Sequence, residues 1–426
     1  MNHAQVNEIY EHTCCLSHHQ LDFNPVSMLK DLLKKAARMF YERKDATKVD
    51  AQIQLKEYKT LFEAVESYAA DNKIDLSNYS DTRASTLLRL RTNLVTFVAF
   101  KNYQRAADMI KALTDQKGNI RNYAAYEREV ISIGETYHRN WLKAEYNTVV
   151  ASAQTAAQWA DFVRDKDLFP VLVYKTQDDT RVRMAHRGLH NVAKPVDDEF
   201  WDQYYPPNGW QCRCYVLQSR DTNGYITEPL SLPDDKSHPP AFRSNPGKTG
   251  KIWTKEHPYF DVTPKIKDKV FQTRNILIND KTFYDSIDGI DVHYSNYIND
   301  GFEKDHNMAR MLKALTAKPI TMLPQMDDRY RTNPDYLIGD MVAEYKEVSS
   351  ADIRHIEKSV RGKGAAIDQL IYSRHADKKK AIILNVTKDT PKERLLNKLF
   401  ASKRIQKYGI EVWIYQNDVL TKHKAK

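Results

Sequence analysis

The sequence predicts a multidomain α+β protein: a helical first half with a loop-rich His/Cys segment, then an α/β domain built on a central mixed sheet. Three observations lead there. Apolar residues recur at three- and four-residue spacing from about Asn24 to Trp159, the period of helices with one buried face. Seven of the 16 prolines fall between Pro229 and Pro264, too dense for a regular element and suited to an extended surface strap or linker. Beyond that belt short apolar runs alternate with amphipathic segments, the order of strands and helices packed on an open sheet.

The elements follow in turn. Asn24-Pro25 opens the first helix, the Asn as cap and the Pro with its φ preset, and the run continues through Met39-Phe40. Leu55, Tyr58, Phe62, Val65 and Tyr68 make a second stripe, Leu87, Leu90, Leu94 and Phe97 a third, and Tyr137 to Trp159 a further helix; Val171 to Tyr174 breaks the period as a short strand. Residues 175–215 lack periodicity and are dense in His, Trp, Pro, Asp and Cys. After the belt, Gly301 to Thr316 suits a helix, Pro319 to Leu323, Tyr336 to Ile338 and Met341 to Lys346 strands, Ala351 to Tyr372 a helix, Ala381 to Val386 a buried strand, Pro391 to Tyr408 a helix and Ile410 to Tyr415 a strand. The predicted domains are 1–265 (helical 20–165, motif-bearing 170–218, proline strap 221–265), a linker at 266–284, and 285–426.

Composition narrows the class. With 426 residues, 41% hydrophobic, the chain can bury two or three ordinary cores. Its longest apolar runs are far shorter than a membrane span, and its N-terminus lacks the basic-then-apolar order of a secretory signal. Four cysteines, Cys14-Cys15 and Cys212-Arg213-Cys214, form no disulfide framework. Synthesis in a cytosol and a reducing compartment are expected. The net charge of +9 is lopsided: residues 351–426 hold 18 Lys and Arg against 8 Asp and Glu, leaving the first 350 residues at −1. Such a basic end either meets a polyanion, nucleic acid first among them, or is a solvated helix face.

Asn333-Pro334-Asp335-Tyr336-Leu337-Ile338 is followed by Glu344-Tyr345-Lys346. Asp335 opens one strand; Glu344 and Lys346, two apart on the next, point to one face. Two carboxylates can hold Mg²⁺ or Mn²⁺ beside phosphate oxygens, and an adjacent ammonium can orient the attacking water and offset phosphate charge. A surface ion pair is the alternative. In Pro334-Asp335 and Glu344-X-Lys346 the sequence resembles the PD-(D/E)XK nuclease superfamily, and within it the C-terminal transfer-RNA nuclease domains of bacterial polymorphic and contact-dependent toxins. That resemblance implies a PD-(D/E)XK-like fold. It makes Asp335, Glu344 and Lys346 catalytic, Glu303 the acid of a preceding helix with Asp300 and Asp305 competing for the role, Leu323-Pro324 a strand end, and Gln369 an inward residue of the next helix. Lys358, Arg361, Lys363, Lys378, Lys379 and Lys380 would then contact phosphates.

The middle segment reads Asp178-Asp179-Thr180-Arg181-Val182-Arg183-Met184-Ala185-His186, then Leu189-His190, Asp197-Asp198-Glu199-Phe200-Trp201 and Pro206-Pro207-Asn208-Gly209-Trp210-Gln211-Cys212-Arg213-Cys214. This resembles the Mu F-like head morphogenesis family of tailed phages, the minor head proteins, densely over 137–218 and again at Phe242 to Gly247 and His257 to Phe260. Physically, Cys212 and Cys214 can face one side and His186 and His190 one helix face, which would make a Cys₂His₂ zinc site. Packed and hydrogen-bonded side chains, or a Cys–His hydrolytic pair, are the other readings; Trp201 and Trp210 read as packing anchors.

Together the resemblances imply a minor head protein of the virion, partnered by portal and capsid proteins. It would be synthesised in the bacterial cytoplasm and would carry a metal-dependent endoribonuclease toxin that acts there on RNA, transfer RNA in particular, with a cognate immunity protein and no membrane partner. Two other classes stay open: a purely structural protein whose basic tail binds DNA, and a DNA endonuclease used in genome processing or exclusion.

Overall fold

A computed structural model gives the structure of residues 25–46, 51–78, 80–297, 301–325, 334–349, 354–355, 358, 360, 366–372, 375, 377–386 and 391–424. Backbone contacts divide the chain into two compact units, 1–277 and 278–426.

Unit 1 opens with helices α1 (Pro25–Arg43), α2 (Ala51–Asp71), α3 (Thr82–Lys111), α4 (Tyr123–Glu135) and α5 (Leu142–Arg164), the last reached through a π-helical turn, Thr136–Trp141. Caps start them: Asp81 accepts from the Arg83 amide ahead of α3, and Asn122 from the Ala125 amide ahead of α4. Of the predicted stripes, Tyr58, Phe62, Val65, Leu87, Leu90, Leu94 and Phe97 are buried core, while Leu55 and Tyr68 are half-buried. The strand Val171–Lys175 (β1) lies between β2 (Ala193–Pro195) and β3 (Tyr215–Ser219), antiparallel to both. Around this small sheet run a one-turn helix α6 (Met184–Arg187) and another, α7 (Phe200–Gln203).

The proline belt is more than a surface strap. Phe242, Ile252, Trp253 and Tyr259 are buried, and the Trp253 ring stacks on Phe97 of α3 at 3.8 Å between centroids. Its prolines start short turns (Pro240–Phe242, Pro258–Phe260 and the helix α8, Pro246–Thr249) that aim these aromatics inward. Gly247 in α8 lies so close to Trp159 that an added Cβ would sit 2.3 Å from that residue's own Cβ. The expected linker at 266–284 is likewise structured: helix α9 (Pro264–Leu277) packs on α3 and α2, because Val270 and Leu277 supply an apolar face.

His257 sits fully buried in this aromatic cluster, beside Phe97, Trp210 and Tyr259, and its Nδ1 accepts the Tyr259 amide. Burial, with Lys101 nearby, pushes its pKa down to about 3. A histidine depressed below its usual value of about 6.5 binds its proton only in the unfolded chain, so the stability it carries is complete above pH ~6.5 and is lost as pH falls toward 3. Chemical denaturation of the wild type and His257→Gln at pH 7 and pH 4 should show the stability gap between them narrowing by several kcal/mol in acid. An equal gap at both pH values would contradict this.

Unit 2 is an eight-stranded mixed sheet whose strands neighbour one another in chain order, from Tyr284–Ile287 at one edge to Val419–His423 at the other. A hairpin, β4 (Tyr284–Ile287) and β5 (Ile290–His293), is followed by a short helix α10 (Tyr294–Tyr297) and by α11 (Phe302–Thr316). The strands β6 (Ile320–Met322), β7 (Tyr336–Ile338) and β8 (Met341–Val348) form an antiparallel meander. Helix α12 (Ala366–Tyr372) packs on β8; β9 (Lys379–Val386) runs parallel to β8, and β10 (Glu411–Gln416) parallel to β9. The single helix predicted over Pro391 to Tyr408 is two, α13 (Lys392–Phe400) and α14 (Lys403–Lys407), and β11 (Val419–His423) ends the sheet. Val342 and Val348 of β8 share a core with Ile367 and Leu370 of α12. By strand alternation that is also the face carrying Glu344 and Lys346.

Candidate functional site

Asp335, Glu344 and Lys346 converge as the strand register requires. Tyr336 pairs with Ala343, which places Asp335 opposite Glu344. The Tyr345 amide donates to Asp335 Oδ2 at 2.7 Å, and Lys346 Nζ lies 2.6 Å from Glu344 Oε1. Glu344 is fully buried, whereas the Lys346 side chain keeps about a third of its exposure. Burial raises the Asp335 pKa to about 6, against the pull of Lys346 and the Tyr345 amide; burial and then Asp335 raise Glu344 well above the carboxylate range. Lys346 is pushed down by burial but more strongly up by Glu344 and Asp335 together, so it stays an ammonium. Two buried carboxylates against one cation leave the site short of positive charge, which a proton or a divalent cation can supply.

That balance sets a pH dependence. In chelator the folded state holds a proton on Asp335 that the unfolded chain releases near pH 4, so its contribution to stability is complete below pH ~4 and falls as pH rises through about 6. Unfolding in EDTA should therefore show this loss in the wild type, less of it in Asp335→Asn, and a recovery on adding Mg²⁺ at pH 7. A profile unaffected by Asp335→Asn would count against the coupling.

The two acids in the first turn of α11 differ in placement. Glu303 projects to solvent from the first turn of α11, while Asp305 is half-buried, its pKa raised by burial and its charge felt by Asp335 and Lys346. Tyr336 Oη fixes this turn by donating to the Asp305 carbonyl at 2.9 Å. Asp300 and Asn333 lie outside the described residues. Gln369 is half-buried on α12. Gln325, which sequence reasoning missed, donates from Nε2 to Asp335 Oδ1 at 3.1 Å, while its amide donates to Ser295 Oγ at 2.8 Å. Its position directly after Leu323-Pro324 at the strand end was the available signal. Of the basic residues, Lys358 is exposed, Lys379 pairs with Asp340 at 3.0 Å, and Lys380 is buried with Nζ donating to the Lys378 carbonyl. Lys380 thus faces its own backbone, not an open surface; Lys378 is half-buried, and Arg361 and Lys363 lie outside the described residues.

In unit 1, His186, Cys212 and Cys214 come together, all buried, with His186 Nδ1 3.7 Å from Cys212 Sγ and 3.6 Å from Cys214 Sγ. His190 does not join them. Helix α6 ends at Arg187, so the four-residue spacing no longer keeps both rings on one face, and His190 Nδ1 instead accepts the Thr176 amide. Other signature residues hold the loops: Arg213 grips Asp179 with two hydrogen bonds of 2.7 Å, lowering the Asp179 pKa, and Arg183 donates to the Trp210 carbonyl at 2.8 Å. Asn208 donates to Tyr174 Oη, and Trp201 Nε1 to the Pro195 carbonyl. The Asp-X-Arg-X-Arg and Pro-Asn-Gly-Trp residues are therefore staples of a fold with little regular structure.

Residues 100–217, which contain the His186, Cys212 and Cys214 cluster, match the family described as Phage Mu protein F like protein. The likeness to Mu F-like proteins is to this stretch of the chain. A protein of Escherichia phage Mu whose name assigns it to capsid assembly, protein F, is 42% identical over 71 residues, 17% of this chain and 16% of that protein. The Mu-like prophage FluMu F protein of Haemophilus influenzae is 35% identical over 86 residues, 18% of this chain and 21% of that protein. The matched stretch thus spans about a fifth or less of each relative. No solved structure matches the chain. Unit 2 begins at residue 278, beyond the end of the Mu F-like domain match.

Proposed function

We propose that the chain is a phage head-assembly component, taken into the virion by its Mu F-like domain, whose second unit is a metal-dependent nuclease acting on RNA. The head role rests on the capsid-assembly name of the phage Mu relative, and it makes portal and capsid proteins the partners of unit 1. The observation that carries the nuclease reading is the junction of Asp335, Glu344 and Lys346 on one buried face of a mixed sheet. Two carboxylates short of positive charge suit a divalent cation, Mg²⁺ or Mn²⁺, and the partly exposed ammonium suits a phosphate and the water that attacks it. Further support comes from element order: helix α11 with Asp305, the meander β6-β7-β8, helix α12 and parallel strand β9 follow the PD-(D/E)XK plan that the sequence resembles. The positive excess of the C-terminal residues suits a polyanionic substrate.

The test is to incubate the purified full-length chain with total bacterial RNA and with plasmid DNA in EDTA, Mg²⁺ or Mn²⁺. Metal-dependent appearance of discrete fragments from small RNAs is the expected result and would identify transfer RNA as substrate; an immunity protein then becomes a necessary partner of the producing cell. Cleavage of plasmid as readily as RNA would move the reading to a DNA endonuclease. Intact nucleic acid under every metal, with salt-dependent binding, would leave the basic end as a packaging element.

A further inference from the structure

We infer that unit 1 contains a structural zinc centre held by His186, Cys212 and Cys214, with His238 drawn in as the fourth ligand. The distances are those of a metal edge. Zinc lies about 2.3 Å from sulfur and about 2.05 Å from nitrogen, so a tetrahedral angle sets S···N at about 3.6 Å; the two observed separations are 3.7 and 3.6 Å. A direct thiol–imidazole hydrogen bond from both sulfurs to one lone pair would explain only one of these contacts.

The tautomer is fixed as a ligand needs it. His186 Nε2 lies 3.2 Å from the Ser237 carbonyl, which can only accept. The ring proton is therefore on Nε2, leaving the Nδ1 lone pair facing both sulfurs. Orientation of a metal-binding histidine by a carbonyl on its far nitrogen is the usual outer-shell arrangement.

The fourth ligand comes from the next residue along the belt. His238 is fully buried, yet neither ring nitrogen has a hydrogen-bond partner among the described residues. A buried imidazole left in that state costs free energy unless something takes its lone pair. Its nitrogens lie outside the 4.8 Å within which the other three donors fall, so metal binding must draw the ring inward from its place next to Ser237, the residue that already orients His186. Binding moves the two thiol protons to solvent and leaves zinc with two thiolates and two neutral imidazoles. The centre ties together helix α6, the lead-in to β3 and the proline belt, three segments with few backbone ladders of their own.

The experiment uses the full-length chain purified without chelator, analysed for zinc and titrated as the reduced apoprotein with Co²⁺. Expected are bound zinc and, with Co²⁺, a thiolate-to-cobalt charge-transfer band with the visible bands of four-coordination. The band should persist in His190→Ala, in Glu344→Gln and in Cys14→Ser/Cys15→Ser, and vanish in Cys212→Ser/Cys214→Ser. His238→Ala should keep the band but lose its metal to a chelator at least tenfold faster. Because the cysteine variants can fail to fold, the wild type supplies a second readout: a disulfide reagent should reach the Cys212 and Cys214 thiols only after chelator is added. No thiolate band in the wild type, a band that follows Cys14 and Cys15, or thiols equally reactive with and without chelator would overturn the centre. Unchanged metal retention in His238→Ala would overturn its fourth ligand.

Discussion

On the nuclease function proposed for unit 2, full-length chain carrying Glu344→Gln is expected to lose cleavage by about a thousandfold or more, the equivalent of the several kcal/mol that a Lewis-acid cation contributes to a phosphoryl transition state. The amide keeps the shape of the side chain but removes the charge that would hold the cation. Folding should survive. Glu344 is fully buried with its carboxyl pushed well above the usual range, so its ionised form is costly and a neutral isostere relieves that cost. Lys346, a third exposed, can turn to water, and Asp335 remains beside it. Lys346→Met should separate the roles further: divalent cations still bind, as read by the shift in thermal unfolding, but turnover falls. Gln325→Ala should be milder, since Asp335 keeps its 2.7 Å bond from the Tyr345 amide. Cleavage by Glu344→Gln at the wild-type rate would remove these residues from the chemistry.

The parts of the site that could be read from the sequence are those set by local rules. Glu344 and Lys346 share a face because strand side chains alternate, and the Pro334-Asp335 turn must precede the strand that pairs with them. Which acid of α11 turns inward could not be read this way. Glu303 and Asp305 both lie in the first turn of α11, and only the packing of that helix against Tyr336 decides which turns inward. His190 failed for a related reason: a four-residue spacing places two rings together only if the helix continues, and α6 is one turn long. His238 carries no spacing signal at all, because the proline belt brings it back across the fold. Two hairpins were overlooked although their turns were visible. Asp288-Gly289 and Asn417-Asp418 join β4 to β5 and β10 to β11 with positive φ at both residues of each pair, the chemistry of a two-residue turn. In the belt, proline density is no sign of exposure, because the aromatics between the prolines, Trp253 and Tyr259 above all, are buried anchors.

In unit 1, Glu145→Ala should destabilise by about 3–5 kcal/mol, because it leaves the Lys101 ammonium buried without its carboxylate. Both side chains are wholly buried, with Nζ 2.6 Å from Oε2. One helical turn on, Arg105 of α3 meets Glu57 of α2 at 2.6 Å, and Asn102 donates to the same carboxylate. Helix α3 therefore buries two cations one turn apart, each answered from a different neighbour, Glu145 on α5 and Glu57 on α2. Shifting α3 by a turn against either helix would leave one cation facing apolar side chains, so the charges fix register at some expense of net stability. The double variant Lys101→Met/Glu145→Leu tests this, since it removes both charges at similar volume. It should recover most or all of the stability lost in Glu145→Ala, with a coupling energy of several kcal/mol in the double-mutant cycle. Five of the six tryptophans, Trp141, Trp159, Trp201, Trp210 and Trp253, lie in unit 1, so denaturation followed by tryptophan fluorescence reports on this unit. A Glu145→Ala transition within about 1 kcal/mol of wild type would mean that Lys101 finds water or another carboxylate once its partner is gone. The pair would then be dispensable to the register of α3.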